Sequence, residues 1–309
     1  MSTTSPARTA SGWLALIASV GLGFIVGSVS VHAADPGGLR GFHIGNSLTG
    51  NLMPHRLEDS LGRNGIPASV GWHIDYSQAA ASIVANPEGV EGLDGVVPFY
   101  GAWPLALRGH AWDYVAIQSY FGPSGTLEVA GIQALIDAAR SNPANAGTRI
   151  LLYATWLWND GLSTQPSYAT LWDKSHRTLS QAAEPNARFF RRMLRRLQIA
   201  NPSVSLGVIP VGEVFATVDV LLRCHPVQES DRTLRSSWDL YQDRIHLGKQ
   251  GCYIAHLTTL VTILNRHPDG IALDPAVASS VSAELKALVH PVIWTVVVRS
   301  NRAFETNRE

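Results

Sequence analysis

Cysteine is scarce in this 309-residue chain, which has only Cys224 and Cys252. Two thiols so far apart in sequence make no zinc site. A surplus of either charge is also missing. The 24 basic and 24 acidic residues cancel, so no global field favours nucleic acid, anionic lipid or a polyanionic substrate. Beyond Val31 no apolar run is long enough to cross a bilayer. There is no internal repeat, no long linker, no glycine-rich phosphate loop, no dinucleotide fingerprint and no His-Glu-x-x-His. The eleven histidines include no pair at helical ligand spacing. Neither a metal nor a cofactor is therefore implied. What is plentiful is apolar surface, 46% of residues. That is enough to bury a full core as one globular domain, at most two.

The first 34 residues differ from the rest. A polar stretch carrying Arg8 leads into an apolar run from Trp13 to Val31, followed by Val31-His32-Ala33-Ala34-Asp35. This order describes a secretory signal peptide, which sends residues 35–309 out of the cytoplasm as the working domain. An uncleaved membrane anchor is the competing reading, weakened by Gly21, Gly23, Gly27 and Ser28 within the run. Export makes a Cys224–Cys252 disulfide permissible across the segment carrying Asp243 and His246; two buried thiols are the equal alternative.

From Leu39 onward short apolar runs alternate with helical spacing, the pattern of a parallel sheet covered on both faces. Strands are expected at Leu39–Gly45, Ala68–Ile74, Tyr114–Gln118, Ile150–Trp156 and Ser205–Val211. Helices are expected over Asn51–Arg63, Leu127–Arg140, Asn186–Ile199 and Leu247–Leu264. Glu88–Trp112, rich in glycine and proline, reads as a long loop with at most a short helix, a candidate wall of a site. In the Asn186 helix, Phe189, Phe190, Met193, Leu194 and Leu197 share one face and five arginines fall elsewhere; a solvated face explains the arginines better than a polyanion site.

In such sheets ligands bind past the carboxyl ends of the strands. The first strand ends in Gly45-Asn46-Ser47-Leu48-Thr49. Gly45 permits a sharp turn, and Ser47 then stands at the start of a helix, whose free N–H groups stabilise negative charge. Alone, this serine reads more simply as a helix cap. Far along the chain, Asp243-Arg244-Ile245-His246 can bring a carboxylate to one imidazole nitrogen and leave the other for a serine hydroxyl.

These two segments resemble the first and last blocks of the SGNH (GDSL-like) hydrolases, with Asn46 where the commoner form has Asp. The order of elements between them matches that family over nearly the whole mature chain. The resemblance implies a three-layer α/β/α sandwich with a five-stranded parallel sheet, flavodoxin-like in class. It implies Ser47 as nucleophile, His246 as general base and acid, and Asp243 as orienting carboxylate, with no cofactor and no metal. The middle blocks depart from the pattern, as in a divergent bacterial branch. Asp75-Tyr76-Ser77-Gln78-Ala79-Ala80 lacks the expected Gly, and Gln118-Ser119-Tyr120 lacks the expected Asn. Gln118 is the candidate to replace that Asn as an oxyanion donor beside the Ser47 N–H.

Trp156 and Trp158 offer either a flat face for a sugar ring or core packing. Glu213 is a candidate for binding substrate hydroxyls or for capping a helix. Asn159-Asp160 falls one strand too late for the missing block, and Ser124 is explained by its Pro and Gly loop. The expected activity is hydrolysis of a carboxylic, especially acetyl, ester on a small molecule or carbohydrate. Nucleic acid is not an expected partner, nor is membrane beyond an N-terminal anchor. Acyl transfer to a sugar, or carbohydrate binding on a decayed scaffold, are the alternatives.

Overall fold

A computed structural model describes residues 37–119, 125–159, 186–279 and 281–305. The N-terminal segment read as a signal peptide lies outside them, as do Tyr120, Ser124 and Asp160. Five strands form the central sheet: β1 (Leu39–Gly45), β2 (Ala68–Ile74), β3 (Tyr114–Ser119), β4 (Arg149–Ala154) and β5 (Ser205–Ile209). Every residue of β3 is buried, as are the last five of β1, β2 and β4. Burial on both faces is why these strands read as continuous apolar runs rather than alternating ones.

The strands pair in parallel in the order β2-β1-β3-β4-β5. The order reverses between β1 and β3, which creates a crevice at their carboxyl ends. Helices α1 (Ser47–Gly50) and α2 (Leu57–Arg63) follow β1, and α3 (Ala80–Ala85) and α4 (Trp103–Gly109) follow β2. Next come α5 (Gly125–Arg140), α6 (Asn186–Ala200) and α7 (Val211–Cys224), then a small hairpin of β6 (Val227–Gln228) and β7 (Thr233–Leu234). The described chain ends with α8 (Lys249–Leu264), α9 (Pro275–Ala278) and α10 (Ala283–Glu305). α3, α4 and α6 gather around α5 on one face of the sheet, while α2, α8 and α10 cover the other. The result is the three-layer α/β/α architecture that the strand and helix alternation implies.

Several elements differ from the sequence expectation. The Asn51 helix is broken, because Met53 takes a left-handed conformation (φ 56°) and Pro54 then opens a 3-10 turn before α2. β4 stops at Ala154, and β5 stops at Ile209 before Pro210, which has no N–H for a ladder. α8 begins two residues later than expected. Gly251 in its first turn is required by close approach, since a Cβ there would lie 2.6 Å from the Leu240 carbonyl oxygen. Helices α7 and α10 have no counterpart in the sequence reading, and α10 runs through Pro291. In the Glu88–Trp112 segment, α4 is the short helix, and Leu93 pairs with Val96 in a turn resting against Gly50. No described helix is long and apolar enough to cross a membrane.

Candidate active site

The turn after β1 is built by polar contacts around Asn46. Asn46 caps α1, its Oδ1 accepting from the Leu48 N–H at 3.0 Å, and its Nδ2 donates to the Gln78 carbonyl at 2.9 Å. Its backbone N–H donates to Gln118 Oε1 at 3.2 Å, and Gln118 Nε2 donates back to Asn46 Oδ1 at 2.8 Å. The Thr49 hydroxyl donates to the same Oε1 at 2.6 Å. Gly41 through Thr49 are buried except Ser47, which alone is partly exposed. As the first residue of α1, Ser47 has a backbone N–H with no intrahelical acceptor.

His246 comes to this serine from the segment preceding α8. Its Nε2 lies 2.9 Å from Ser47 Oγ, and its Nδ1 lies 2.7 Å from Asp243 Oδ2. Asp243 Oδ1 accepts from the Ile245 and His246 N–H groups at 2.8 and 2.7 Å. This closes the three-residue spacing into a turn with both carboxylate oxygens in use. A proton on Nδ1, directed at the carboxylate, leaves Nε2 to accept from the Ser47 hydroxyl. Desolvation pushes the Asp243 carboxyl upward, but the two N–H donors and the imidazole outweigh it and hold the group below its ordinary value. The Asp243 and His246 side chains are 50% and 29% exposed, so water reaches the relay from one side.

The loop carrying Asp243 and His246 is pinned from three directions. Gln242 N–H donates to the His246 carbonyl at 3.0 Å and Gly248 N–H to the Leu240 carbonyl at 2.8 Å. The Leu247 N–H donates to Asn51 Oδ1 at 3.2 Å, tying the loop to the end of α1. The segment after β4 supplies the third anchor. Trp156 Nε1 donates to the Ile245 carbonyl at 2.7 Å, and the Asn159 N–H donates to the Arg244 carbonyl at 2.6 Å. The Tyr241 hydroxyl in turn donates to the Leu157 carbonyl at 2.5 Å.

Other expected site residues are placed differently. Gln118 is 3% exposed and its carboxamide is engaged with Asn46 and Thr49 behind the turn, so the oxyanion role gives way to a structural one. Trp156 is fully buried and stacked on Phe215 with ring centroids 5.8 Å apart. It presents no face to a sugar. Glu213, in the first turn of α7, accepts from Arg299 at 2.9 Å and lies 3.9 Å from Arg191, so it serves ion pairs between helices. Cys224 and Cys252 are both free thiols. Cys252 donates to the Leu247 carbonyl at 3.5 Å, and burial pushes its thiol up to about 12. Among the described residues, no three His, Cys, Asp or Glu side chains gather to hold a metal ion.

Asn51, Thr49 and Gln78 are supports that sequence reasoning missed. Thr49 and Asn51 stand within four residues of Ser47, which is the one signal that can single them out. Gln78 acts through its carbonyl, which any residue type can supply.

No family model matches the chain, and no curated protein matches it in sequence. Among solved structures, a DUF4886 family protein from Bacteroides uniformis is similar with a TM-score of 0.56 and 14% identity, over 84% of this chain and 95% of that one. The periplasmic domain of a lipopolysaccharide acetyltransferase from Salmonella ser. Paratyphi A has a TM-score of 0.41 and 13% identity, over 75% of this chain and 85% of that one. The first likeness extends the α/β fold over most of both chains, and at such identity it speaks to fold alone.

Proposed function

We propose that this protein is an exported serine esterase of the SGNH type, hydrolysing carboxylic esters through Ser47, His246 and Asp243. One observation carries the reading: a hydroxyl, an imidazole and a carboxylate, the first two 199 residues apart in sequence, stand in a hydrogen-bonded line at the carboxyl edge of a parallel sheet. Hydroxyl-to-imidazole contact at 2.9 Å is the geometry general-base activation needs.

In this mechanism Ser47 Oγ attacks the ester carbonyl while His246 Nε2 takes its proton. The tetrahedral oxyanion forms beside the unused Ser47 N–H at the start of α1, where the dipoles of the turn favour negative charge. His246 then protonates the departing alkoxide, leaving an acyl group on Ser47. A water attacks this acyl-enzyme with His246 again as base, releasing the carboxylic acid and restoring the serine. Asp243 holds the ring in the productive tautomer and stabilises the imidazolium formed in each half-reaction. A sugar hydroxyl in place of water would turn the same acyl-enzyme into an acyltransferase; the open side of the relay, where Asp243 is 50% exposed, favours water.

An acetyl ester, on a small alcohol or a carbohydrate, is the substrate class we propose, with no cofactor taking part. With Trp156 interior, the carbohydrate assignment rests on the resemblance, the expected export and the partly exposed Trp158. A decayed binding scaffold is the weaker reading, because binding exerts no demand for the serine-to-histidine contact. The test is turnover of a chromogenic acetate ester by the purified chain. Wild type should hydrolyse it and Ser47→Ala should reduce the rate to background while keeping the melting midpoint. An inert but folded wild type sinks the proposal.

A further inference from the structure

The turn presenting Ser47 depends on an interlock of two carboxamides. Gln118 and Asn46 exchange two hydrogen bonds: Asn46 N–H to Gln118 Oε1 at 3.2 Å, and Gln118 Nε2 to Asn46 Oδ1 at 2.8 Å. Thr49 Oγ1, two residues beyond the nucleophile, donates to the same Oε1 at 2.6 Å. The remaining Asn46 group, Nδ2, donates to the Gln78 carbonyl at 2.9 Å. Asn46 is 1% exposed and Gln118 is 3% exposed, so water does not substitute for a lost partner between them, while the bond to Gln78 is partly buried.

Two further facts bear on the same cluster. A Cβ on Gly45 would lie 2.1 Å from Thr49 Oγ1 and 2.7 Å from Gln118 Oε1. Glycine at 45 is thus required by the space these two side chains occupy, with no unusual φ involved. The cluster also joins β1 to β3 and to the segment after β2, the three chain ends that border the crevice.

We propose that Gln118 is a positioning residue which, with Asn46, Thr49 and the Gln78 carbonyl, clasps the nucleophile turn, and that position 46 must carry an amide rather than a carboxylate. The second part follows from donor arithmetic. Asn46 Oδ1 accepts two N–H groups while Nδ2 faces a carbonyl oxygen. A carboxylate there satisfies the first pair and sets a second acceptor against the Gln78 carbonyl in a partly buried place. Only a protonated acid can donate to that oxygen. This chain therefore needs Asn in the place where the commoner form of the resembled motif has Asp, and Gln118 supplies the matching amide from β3.

The role at Ser47 rests on the esterase reading, but the clasp can be tested apart from it with Asn46→Asp. Melting midpoints of wild type and variant are compared from pH 5 to 8, and kcat and KM on a chromogenic acetate ester are measured at pH 8. The clasp predicts a midpoint gap that widens as pH rises, to about 4 °C or more at pH 8. It also predicts a kcat reduced by about tenfold to 100-fold with KM within about twofold, the signature of a misplaced nucleophile. Gln118→Leu should lower kcat similarly, and adding it to Asn46→Asp should cost much less than the two losses multiplied. A pH-independent gap together with wild-type kcat overturns the inference. If wild type has no esterase activity while the gap still follows pH, the clasp stands and the esterase reading falls. Should Gln118→Leu fail to fold, the Asn46→Asp comparison decides alone.

Discussion

Replacing Asp243 by Asn changes one atom of the relay and reverses the direction of a proton. In the wild type, Oδ1 receives the Ile245 and His246 N–H groups at 2.8 and 2.7 Å, and Oδ2 receives the imidazole at 2.7 Å. An Asn has one oxygen, which the two peptide donors hold, so its NH2 takes the place beside Nδ1. Two donors then face each other unless the ring moves its proton to Nε2. That proton points at Ser47 Oγ, and the base of the proposed mechanism is gone. A buried relay arrested in this way loses about 10⁴-fold in kcat. Here Asp243 is 50% exposed and water offers the imidazole an alternative partner, which moves the expected loss to about 10³-fold, or about 4 kcal/mol of transition-state stabilisation. The assay is kcat and KM on a chromogenic acetate ester at pH 7 to 9. KM should stay within about threefold, and raising the pH should not recover activity, because the wrong tautomer is a neutral species. A loss under tenfold, or one confined to KM, would refute this account of Asp243.

Two other outcomes follow from groups away from the relay. Burial, with the charge of His256, lowers His43 to about 3; burial lowers His73 to about 4; and burial, partly offset by a bond to the Leu52 carbonyl, lowers His256 to about 4. Their folded values lie below the unfolded one, so the unfolded chain binds three more protons. Stability is then complete above about pH 6.5 and falls by up to about 4 kcal/mol per pH unit between there and pH 4. Urea titrations across that range measure the slope, and a slope under about 1 kcal/mol per unit contradicts neutral burial of all three. The free thiols predict that reductant leaves the melting midpoint unchanged, and that a thiol reagent modifies exposed Cys224 quickly and Cys252 slowly, its thiol being pushed up to about 12; a midpoint that drops in reductant would show a bridge.

Much of the fold was legible because burial on both sheet faces demands continuous apolar strands, and those runs stand out between glycines and prolines. Helix α7 escaped because Val211, Val214, Thr217, Val218 and Val220 lower local helix preference just after a strand. Helix α10 was hidden by Pro291 and the β-branched run around Trp294. Packing against the sheet and each other supplies what propensity lacks. Ser47, Asp243 and His246 were legible as residue types with local spacing. Gln118 stands out in sequence as an oxyanion donor but is engaged behind the turn, and of the two readings open for Trp156 the structure bears out core packing, since exposure and partner choice are not local properties.

The sequence by itself determined the alternation of strands and helices, the place of Ser47 after the first strand and the Asp243-to-His246 spacing. Each is a pattern of near neighbours, governed by backbone periodicity and turn geometry. Only the tertiary structure decided that His246 reaches Ser47, that Gln118 faces Asn46 and that Trp156 points inward. Those contacts join residues 72 to 199 positions apart. They exist because β1 and β3 lie side by side in the sheet and because the loop before α8 is pinned between Asn51 and the end of β4. Such a meeting is set by how apolar faces pack and by which buried polar groups find partners, and no local pattern along the chain encodes it.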